Sequence, residues 1–120
     1  MGKTILIVED DPDMRELIGR YLRNAGYTVR SVENGFKAAT ACLQAKPDLV
    51  VSDLHMPGMS GFDMMKIFNS EAGLRKIPVI FLTADETKRA RGGHLGAVEY
   101  LTKPVTADAL LAAVAKHLAQ

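Results

Sequence analysis

Reactive side chains stand directly after several short apolar runs of this chain. The acids Glu9 and Asp10 follow the first run, and Asp53 ends the second. Thr83 ends the third run, and Lys103 follows the fourth. Carboxylates are hard ligands that suit Mg²⁺, a carboxylate can also act as a nucleophile, and lysine supplies a compact positive charge. Gathered in one place, these groups can hold a divalent cation and accept a phosphoryl group.

The apolar runs are the strands that must bring these groups together. Nearly continuous apolar runs are typical of parallel strands that are buried on both faces. The predicted strands are Thr4–Glu9, Tyr27–Val32, Leu49–Ser52, Val79–Leu82 and Ala97–Leu101. Helical patterns between them predict right-handed crossovers and a doubly wound α/β sheet, with the second and fifth strands at its edges. Because the carboxyl ends of such strands meet where ligands bind, we expect one shared site.

Capping residues mark where several helices begin and end. Asp11 and Pro12 predict the start of the first helix, with an acid at the N-cap and proline at the first helical position. Gly26 is expected to close this helix. The third helix is predicted to begin after Ser60, and the last one after Thr106.

Two helical segments carry predictions that depend on side-chain pattern alone. The second helix, predicted from Gly35 to Ala45, is expected to bury Phe36, Ala39 and Leu43. The segment between Thr83 and Tyr100 contains two adjacent glycines, each of which costs about 1 kcal/mol in a helix interior. This fourth helix, around 86–95, is therefore expected to be short and frayed, or partly a loop. The histidines at positions 94 and 117 lack ligand-like spacing and are expected at the surface.

Composition restricts the class of protein. The chain has 120 residues, an apolar fraction of 48% and a formal net charge of +1. These values indicate one globular domain spanning 1–120 and argue against a strongly basic nucleic-acid surface. The single cysteine, Cys42, predicts a cytoplasmic protein without an internal disulfide. No stretch predicts a signal peptide or a membrane segment.

Four motifs together resemble a known family. They are Ile-Leu-Ile-Val-Glu9-Asp10-Asp11-Pro12, Val-Val-Ser-Asp53-Leu-His-Met-Pro57-Gly58-Met-Ser-Gly61, Val-Ile-Phe-Leu-Thr83-Ala84 and Tyr100-Leu-Thr-Lys103-Pro104. In order and spacing they resemble the receiver domains of bacterial two-component response regulators, including the chemotaxis receivers. The resemblance covers essentially the whole chain. It implies a flavodoxin-like, five-stranded parallel sheet in the order 2-1-3-4-5 with five helices.

The resemblance also implies roles for the residues of the site. Asp53 corresponds to the phosphoacceptor, and Lys103 to the lysine that pairs with the phosphoryl group. Asp10 corresponds to a direct Mg²⁺ ligand, Glu9 to an acid that acts through a bound water, and the His55 carbonyl to a further ligand. Asp53 itself would also contact the metal.

Further implied features concern the switch. Thr83 corresponds to the switch hydroxyl, and Tyr100 to the aromatic ring that follows it. The Lys103–Pro104 peptide bond is expected to be cis. Glutamate at position 9 replaces the aspartate of many receivers, and His55 stands at a position where the family varies and where the lifetime of the phosphorylated state is tuned. The unusual segment before Tyr100 also bears on the output surface, and we expect it to become ordered by phosphorylation or by a partner.

The implied function is a phosphoryl-accepting signalling switch rather than an enzyme in the usual sense. Its implied partners are a sensor histidine kinase or a histidine phosphotransfer protein, together with an unknown output partner or domain. No direct contact with nucleic acid or membrane is expected. A stand-alone regulator and a receiver from a larger protein both fit, as do a monomer and a phosphorylation-dependent dimer.

Three other functions are weighed against this one. A haloacid-dehalogenase-type phosphohydrolase also uses an aspartate nucleophile and Mg²⁺, but it needs a second aspartate where His55 stands. A flavodoxin would need a phosphate-binding loop where the acids Glu9 and Asp10 would repel phosphate. A degenerate receiver that works without phosphorylation is disfavoured by the intact acids, hydroxyl and lysine.

Overall fold

The computed structural model describes residues 2–84 and 96–118. Its strands are β1 (Thr4–Val8), β2 (Thr28–Val32), β3 (Leu49–Asp53), β4 (Val79–Thr83) and β5 (Glu99–Thr102). They form one parallel sheet in the order β2-β1-β3-β4-β5. This arrangement confirms the predicted flavodoxin-like sheet and places β2 and β5 at its edges.

The described helices lie between the strands in sequence. They are α1 (Pro12–Asn24), α2 (Gly35–Gln44), α3 (Gly61–Ser70) and α4 (Ala107–Leu118). The predicted fourth helical segment, 86–95, lies outside the described residues, so these labels count described helices only. In the part of the chain that the structure describes, no helix has both the length and the apolar character needed to cross a bilayer.

Two apolar layers cover the two faces of the sheet, because successive strand side chains point in opposite directions. The layer beneath α2 and α3 includes Leu6, Val50, Phe81, Cys42 and Phe68. The layer beneath α1 and α4 includes Ile7, Val51, Ile80, Ile18 and Val114. Every residue of β3 and β4 is buried. This burial on both faces accounts for the nearly continuous apolar sequence of these two strands.

The helix starts follow the capping signals in the sequence. Asp11 caps α1 by accepting a hydrogen bond from the backbone N–H of Asp13 at 2.9 Å. Ser60 and Asp63 form a reciprocal capping box at the start of α3. The Thr106 hydroxyl accepts a backbone hydrogen bond from three residues farther along, at the start of α4. These contacts fix where each loop of the site passes into its helix.

The predicted buried face of α2 is wrong. Phe36 and Leu43 are 60% and 61% exposed, although Ala39 packs partly against the core. The residues that α2 buries are instead Gly35, Ala38 and Cys42. A Cβ atom at Gly35 would lie 2.5 Å from Sδ of Met59, so α2 approaches its neighbours through small residues. Close packing of that small-residue face turns the larger side chains outward.

The predicted surface position of His117 is also wrong. Its side chain is 8% exposed, and its Nε2 lies 2.7 Å from Oε1 of Glu99. This contact joins the last turn of α4 to the first residue of β5. His94 lies outside the described residues.

The start of α3 offers a direct test of packing next to the site. Gly61 is buried where a Cβ atom would lie 2.6 Å from Cε1 of Phe81 and 3.1 Å from the Cα atom of Leu54. We expect Gly61→Ala to lower the free energy of unfolding by about 1–3 kcal/mol, because the added methyl group overpacks the core. Urea denaturation followed by circular dichroism measures this change.

Gly73→Ala is the matched control. No atom lies within 4 Å of a Cβ built at Gly73, and its φ is not positive. Its stability should be unchanged or slightly raised. Equal stabilities for the two variants would contradict the packing described for α3.

Candidate functional site

The reactive side chains meet at the carboxyl edge of the sheet, as the sequence predicts. Glu9 lies one residue beyond β1, and Asp53 is the last residue of β3. Thr83 ends β4 and pairs in register with Thr102 of β5, which places Lys103 just beyond that strand. The parallel register therefore brings side chains from distant parts of the chain to one place.

Three carboxylates form the centre of the site. Glu9, Asp10 and Asp53 each contribute an oxygen atom, and these atoms all lie within 4.8 Å of one another. Glu9 and Asp53 are buried, whereas Asp10 is exposed. Among the described residues, no other group of three histidine, cysteine or acidic side chains comes together in this way. The predicted acid cluster is thus present as a geometric unit.

Lys103 lies against two of these acids. Its Nζ atom is 3.3 Å from Oδ1 of Asp53 and 3.7 Å from Oε1 of Glu9. The backbone N–H of Lys103 donates to the carbonyl of Thr83 at 2.8 Å, which anchors the lysine to the end of β4. The Lys103–Pro104 bond is cis, as expected. The Lys103 side chain is 24% exposed, so it can also contact a group that enters from solvent.

Burial makes the charge of Glu9 costly. Desolvation is the largest cause that raises the pKa of Glu9, to about 7. The negative charge of Asp53 and the nearby carboxyl group of Asp10 raise it further, while the Asp11 N–H and the Lys103 charge lower it. Glu9 is therefore partly protonated at neutral pH. The negative charge of Asp53 opposes ionisation of Glu9.

Two backbone contacts hold the turn between β1 and α1. The N–H of Asp11 donates to Oε2 of Glu9 at 3.2 Å. The guanidinium of Arg15 donates through Nη1 to the backbone carbonyl of Glu9 at 2.8 Å. No sequence pattern singles out Arg15, because an arginine in the second turn of a helix is an ordinary surface residue.

The loop after β3 positions Asp53. Its Oδ1 atom accepts a hydrogen bond from the backbone N–H of His55 at 3.3 Å. The His55 side chain is exposed, whereas Met56 and Met59 are buried and form part of the core beside the loop. Gly58 has a φ of 79°, a conformation that favours glycine and lets the loop turn towards α3. The predicted role of the His55 carbonyl as a metal ligand stays a prediction.

The two predicted switch residues are buried near the site. Thr83 is fully buried at the end of β4. Tyr100 is 6% exposed, and its ring centroid lies 5.5 Å from that of Phe81. Burial raises the pKa of Tyr100 to about 12, and its hydroxyl has no hydrogen-bond partner among the described residues. The segment 85–95 that follows Thr83 lies outside the described residues.

The donor set fits a hard divalent cation such as Mg²⁺. All three side chains offer carboxylate oxygens, which such cations prefer. Oε1 of Glu9 is buried and has no hydrogen-bond partner in the described part of the chain, since Lys103 lies beyond hydrogen-bond distance. A cation in the cluster would give that oxygen a partner and relieve the repulsion among the acids.

Sequence comparisons assign this fold and site to a family. The family model "Response regulator receiver domain" matches residues 5–115. The chain is 39% identical over 115 residues to the transcriptional regulatory protein GltR of Pseudomonas aeruginosa, covering 94% of this chain and 48% of that protein. It is 38% identical over 114 residues to the phosphate regulon transcriptional regulatory protein PhoB of the same species, covering 93% and 50%. The chain thus spans about half the length of these curated relatives.

Solved structures agree with the sequence matches. A putative response regulator from Chloroflexus aurantiacus superimposes with a TM-score of 0.96 at 31% identity, with both chains fully covered. A receiver domain of a sensor histidine kinase from Pseudomonas aeruginosa, solved with magnesium coordinated in its active site cleft, gives a TM-score of 0.92 at 27% identity, again with full coverage. The acid cluster, the lysine and the sheet topology are consistent with these matches. The chain belongs to the response regulator receiver domain family.

Proposed function

We propose that this receiver takes a phosphoryl group onto Asp53, with Mg²⁺ bound by the neighbouring acids, and that the modification changes its output surface. Membership of the family supports the broader role of a phosphoacceptor in two-component signalling. The observation that carries the finer proposal is the position of Asp53. Its carboxylate lies within 4.8 Å of two other acids and 3.3 Å from the ammonium group of Lys103.

The chemistry at Asp53 is a single displacement. A carboxylate oxygen of Asp53 attacks the phosphorus of a phosphohistidine on the donor protein. The P–O bond forms as the P–N bond breaks, and the released imidazole leaves neutral after taking up a proton. Lys103 stabilises charge on the transferred group, and the His55 N–H orients the attacking carboxylate.

Glu9, Asp10 and Asp53 would hold the cation, together with the His55 carbonyl. When bound, Mg²⁺ would neutralise charge on the acids and on the phosphoryl oxygens. Glu9 is ionised only in part near neutral pH without metal, so its proton must leave for full metal coordination. The residues contribute positioning and electrostatics rather than covalent chemistry beyond Asp53. The protein would act as a switch, not as an enzyme that turns over a separate substrate.

The switch would pass through Thr83 and Tyr100. Thr83 follows Leu82, the residue of β4 that pairs with Asp53, and this neighbouring position supports a role for its hydroxyl in bonding a phosphoryl group on Asp53. The Tyr100 ring packs against Phe81 of the same strand, and no described residue forms a hydrogen bond with its hydroxyl. Movement of Thr83 towards the phosphoryl group would leave space into which Tyr100 can turn.

The proposed partners follow from the family. A sensor histidine kinase or a histidine phosphotransfer protein would supply the phosphoryl group, and an output domain or protein would read the change. The relatives named transcriptional regulators are about twice as long as this chain. DNA binding is therefore a property to seek outside these 120 residues. A monomer and a phosphorylation-dependent dimer both fit the described residues.

Asp53→Asn tests the acceptor directly. The metal-free protein is incubated with acetyl phosphate, with and without Mg²⁺, and intact mass is measured. We expect a Mg²⁺-dependent gain of one phosphoryl group in the wild type and none in the variant, because an amide oxygen is a poor nucleophile. Asp11→Asn is the matched control, since asparagine caps helices as well as aspartate does.

Asp11→Asn should retain phosphorylation, because Asp11 caps α1 through its side chain. Phosphorylation of Asp53→Asn at the wild-type rate and stoichiometry would contradict the proposal. Loss of phosphorylation in both variants would indicate a general effect of charge rather than a specific acceptor.

The raised pKa of Glu9 predicts a pH dependence of stability. Between pH 4.5 and about 7 the folded state keeps a proton on Glu9 that the unfolded state has lost. Stability of the metal-free wild type should therefore fall as pH rises through this window, by up to roughly 3 kcal/mol from this residue. Glu9→Gln replaces the ionisable carboxyl group with a neutral amide. The variant should therefore be more stable than the wild type at pH 8, but no more stable than the wild type at pH 4.5.

Urea denaturation with chelator at the two pH values measures this difference. Glu71→Gln is the control, because Glu71 is an exposed acid at the end of α3 and its change should be the same at both pH values. A stability difference between Glu9→Gln and wild type that is independent of pH would contradict the described electrostatics.

A further inference from the structure

The backbone of Glu9 is held on both sides at the edge of the sheet. Its N–H donates to the carbonyl of Val32 at 3.1 Å, and its carbonyl accepts from Nη1 of Arg15 at 2.8 Å. Glu9 lies one residue beyond β1, past the last position paired with β3. Pairing with β3 has ended at this point, so the bond from Arg15 adds a constraint beside the one bond that Glu9 still makes to β2.

The geometry of α1 explains how Arg15 reaches that carbonyl. The N–H of Arg15 donates to the carbonyl of Asp11 at 2.9 Å, so Arg15 lies one full turn into the helix. Helical side chains point back towards the N-terminus of their helix. The guanidinium thus folds back over the turn and closes a loop from residue 15 to residue 9. Asp10, the exposed acid of the cluster, lies inside this loop.

The hydrogen bond of Arg15 is made to Glu9, whereas its charge affects the pKa of Glu33. Arg15 is not among the groups that shift the pKa of Glu9. It is instead a minor cause, after Lys37, of the lowered pKa of Glu33 at the start of α2. Glu33 itself forms an ion pair with Lys37. The contact of Arg15 with the acid site is the hydrogen bond to the main-chain carbonyl of Glu9, and no ion pair joins Arg15 to a carboxylate among the described residues.

We infer that Arg15 is a positioning residue for cation binding, which fixes the β1–α1 turn so that Glu9 and Asp10 both face the ion. This inference rests on the proposed function, in which these acids hold Mg²⁺. Without the bond to the Glu9 carbonyl, the turn gains freedom that metal binding must then remove. Partners that orient metal ligands typically change metal affinity by tenfold or more when they are lost.

The two possible roles of Arg15, as a charge and as a positioning residue, predict opposite changes in Mg²⁺ affinity when Arg15 is replaced. Removing a positive charge near an acid cluster would strengthen binding of a divalent cation by Coulomb attraction alone. Removing a residue that holds the ligands in place would weaken it. The direction of the change in Mg²⁺ affinity therefore separates the two roles, and it does not depend on phosphorylation.

The experiment is a calorimetric titration of the metal-free protein with MgCl₂ at fixed ionic strength. For Arg15→Gln we expect a dissociation constant about tenfold higher than that of the wild type. Arg15→Lys keeps a donor of shorter reach and should recover part of the loss. Arg20→Gln is the matched control: Arg20 is exposed on the same helix, and this variant should bind as the wild type does, within twofold.

Several results would overturn the inference. Arg15→Gln could bind Mg²⁺ as tightly as the wild type or more tightly, or it could weaken binding no more than Arg20→Gln does. If Arg15→Gln is only partly folded, the shift of its thermal unfolding midpoint with added Mg²⁺ gives the same affinity by mass action. A wild type that binds no Mg²⁺ would overturn the proposed function as well, whereas normal binding by both proteins would overturn only the role of Arg15.

Discussion

Burial of Glu9 and Asp53 beside Asp10 concentrates negative charge at the carboxyl edge of the sheet, where little solvent can screen it. Glu9 and Asp53 are buried side by side, and one lysine lies 3.7 Å and 3.3 Å from their oxygen atoms. Desolvation, together with the negative charge of Asp53, raises the pKa of Glu9 to about 7, and the charge of Lys103 offsets this only in part. Such a site favours binding of a cation. It is poorly suited to binding a free anion such as a flavin phosphate.

The surrounding elements keep the acids together despite their repulsion. Fully buried central strands fix the register that aligns Asp53 with its neighbours. The caps at Asp11 and Ser60 set where the two acid-bearing loops enter their helices. The contacts of Arg15 and Lys103 with backbone carbonyls then restrain the loops beyond the ends of the strands. The apolar core thus supplies the free energy that holds an unfavourable charge arrangement in place.

Much of this arrangement could be predicted because it is encoded locally. Apolar runs that end in Asp53 or Thr83 mark strand ends, and Asp11-Pro12 marks a helix start, so the sheet and the site followed from short motifs. The face of α2 could not be predicted this way, since the close approach of Gly35 to Met59 is a tertiary contact that outweighs the spacing of Phe36 and Leu43. The contacts of Arg15 and His117 are likewise made by long side chains whose targets the sequence does not indicate.

We propose that the acid cluster makes Asp53 the phosphoacceptor, and chemical trapping can identify the phosphorylated residue. The protein is phosphorylated with acetyl phosphate and Mg²⁺, treated with sodium borohydride and mapped by peptide mass spectrometry. Borohydride reduces an acyl phosphate of aspartate to homoserine. We expect homoserine at position 53 alone, and only in samples that contained Mg²⁺. Homoserine at position 10 or 11, or a stable phosphoryl group on His55, would contradict it.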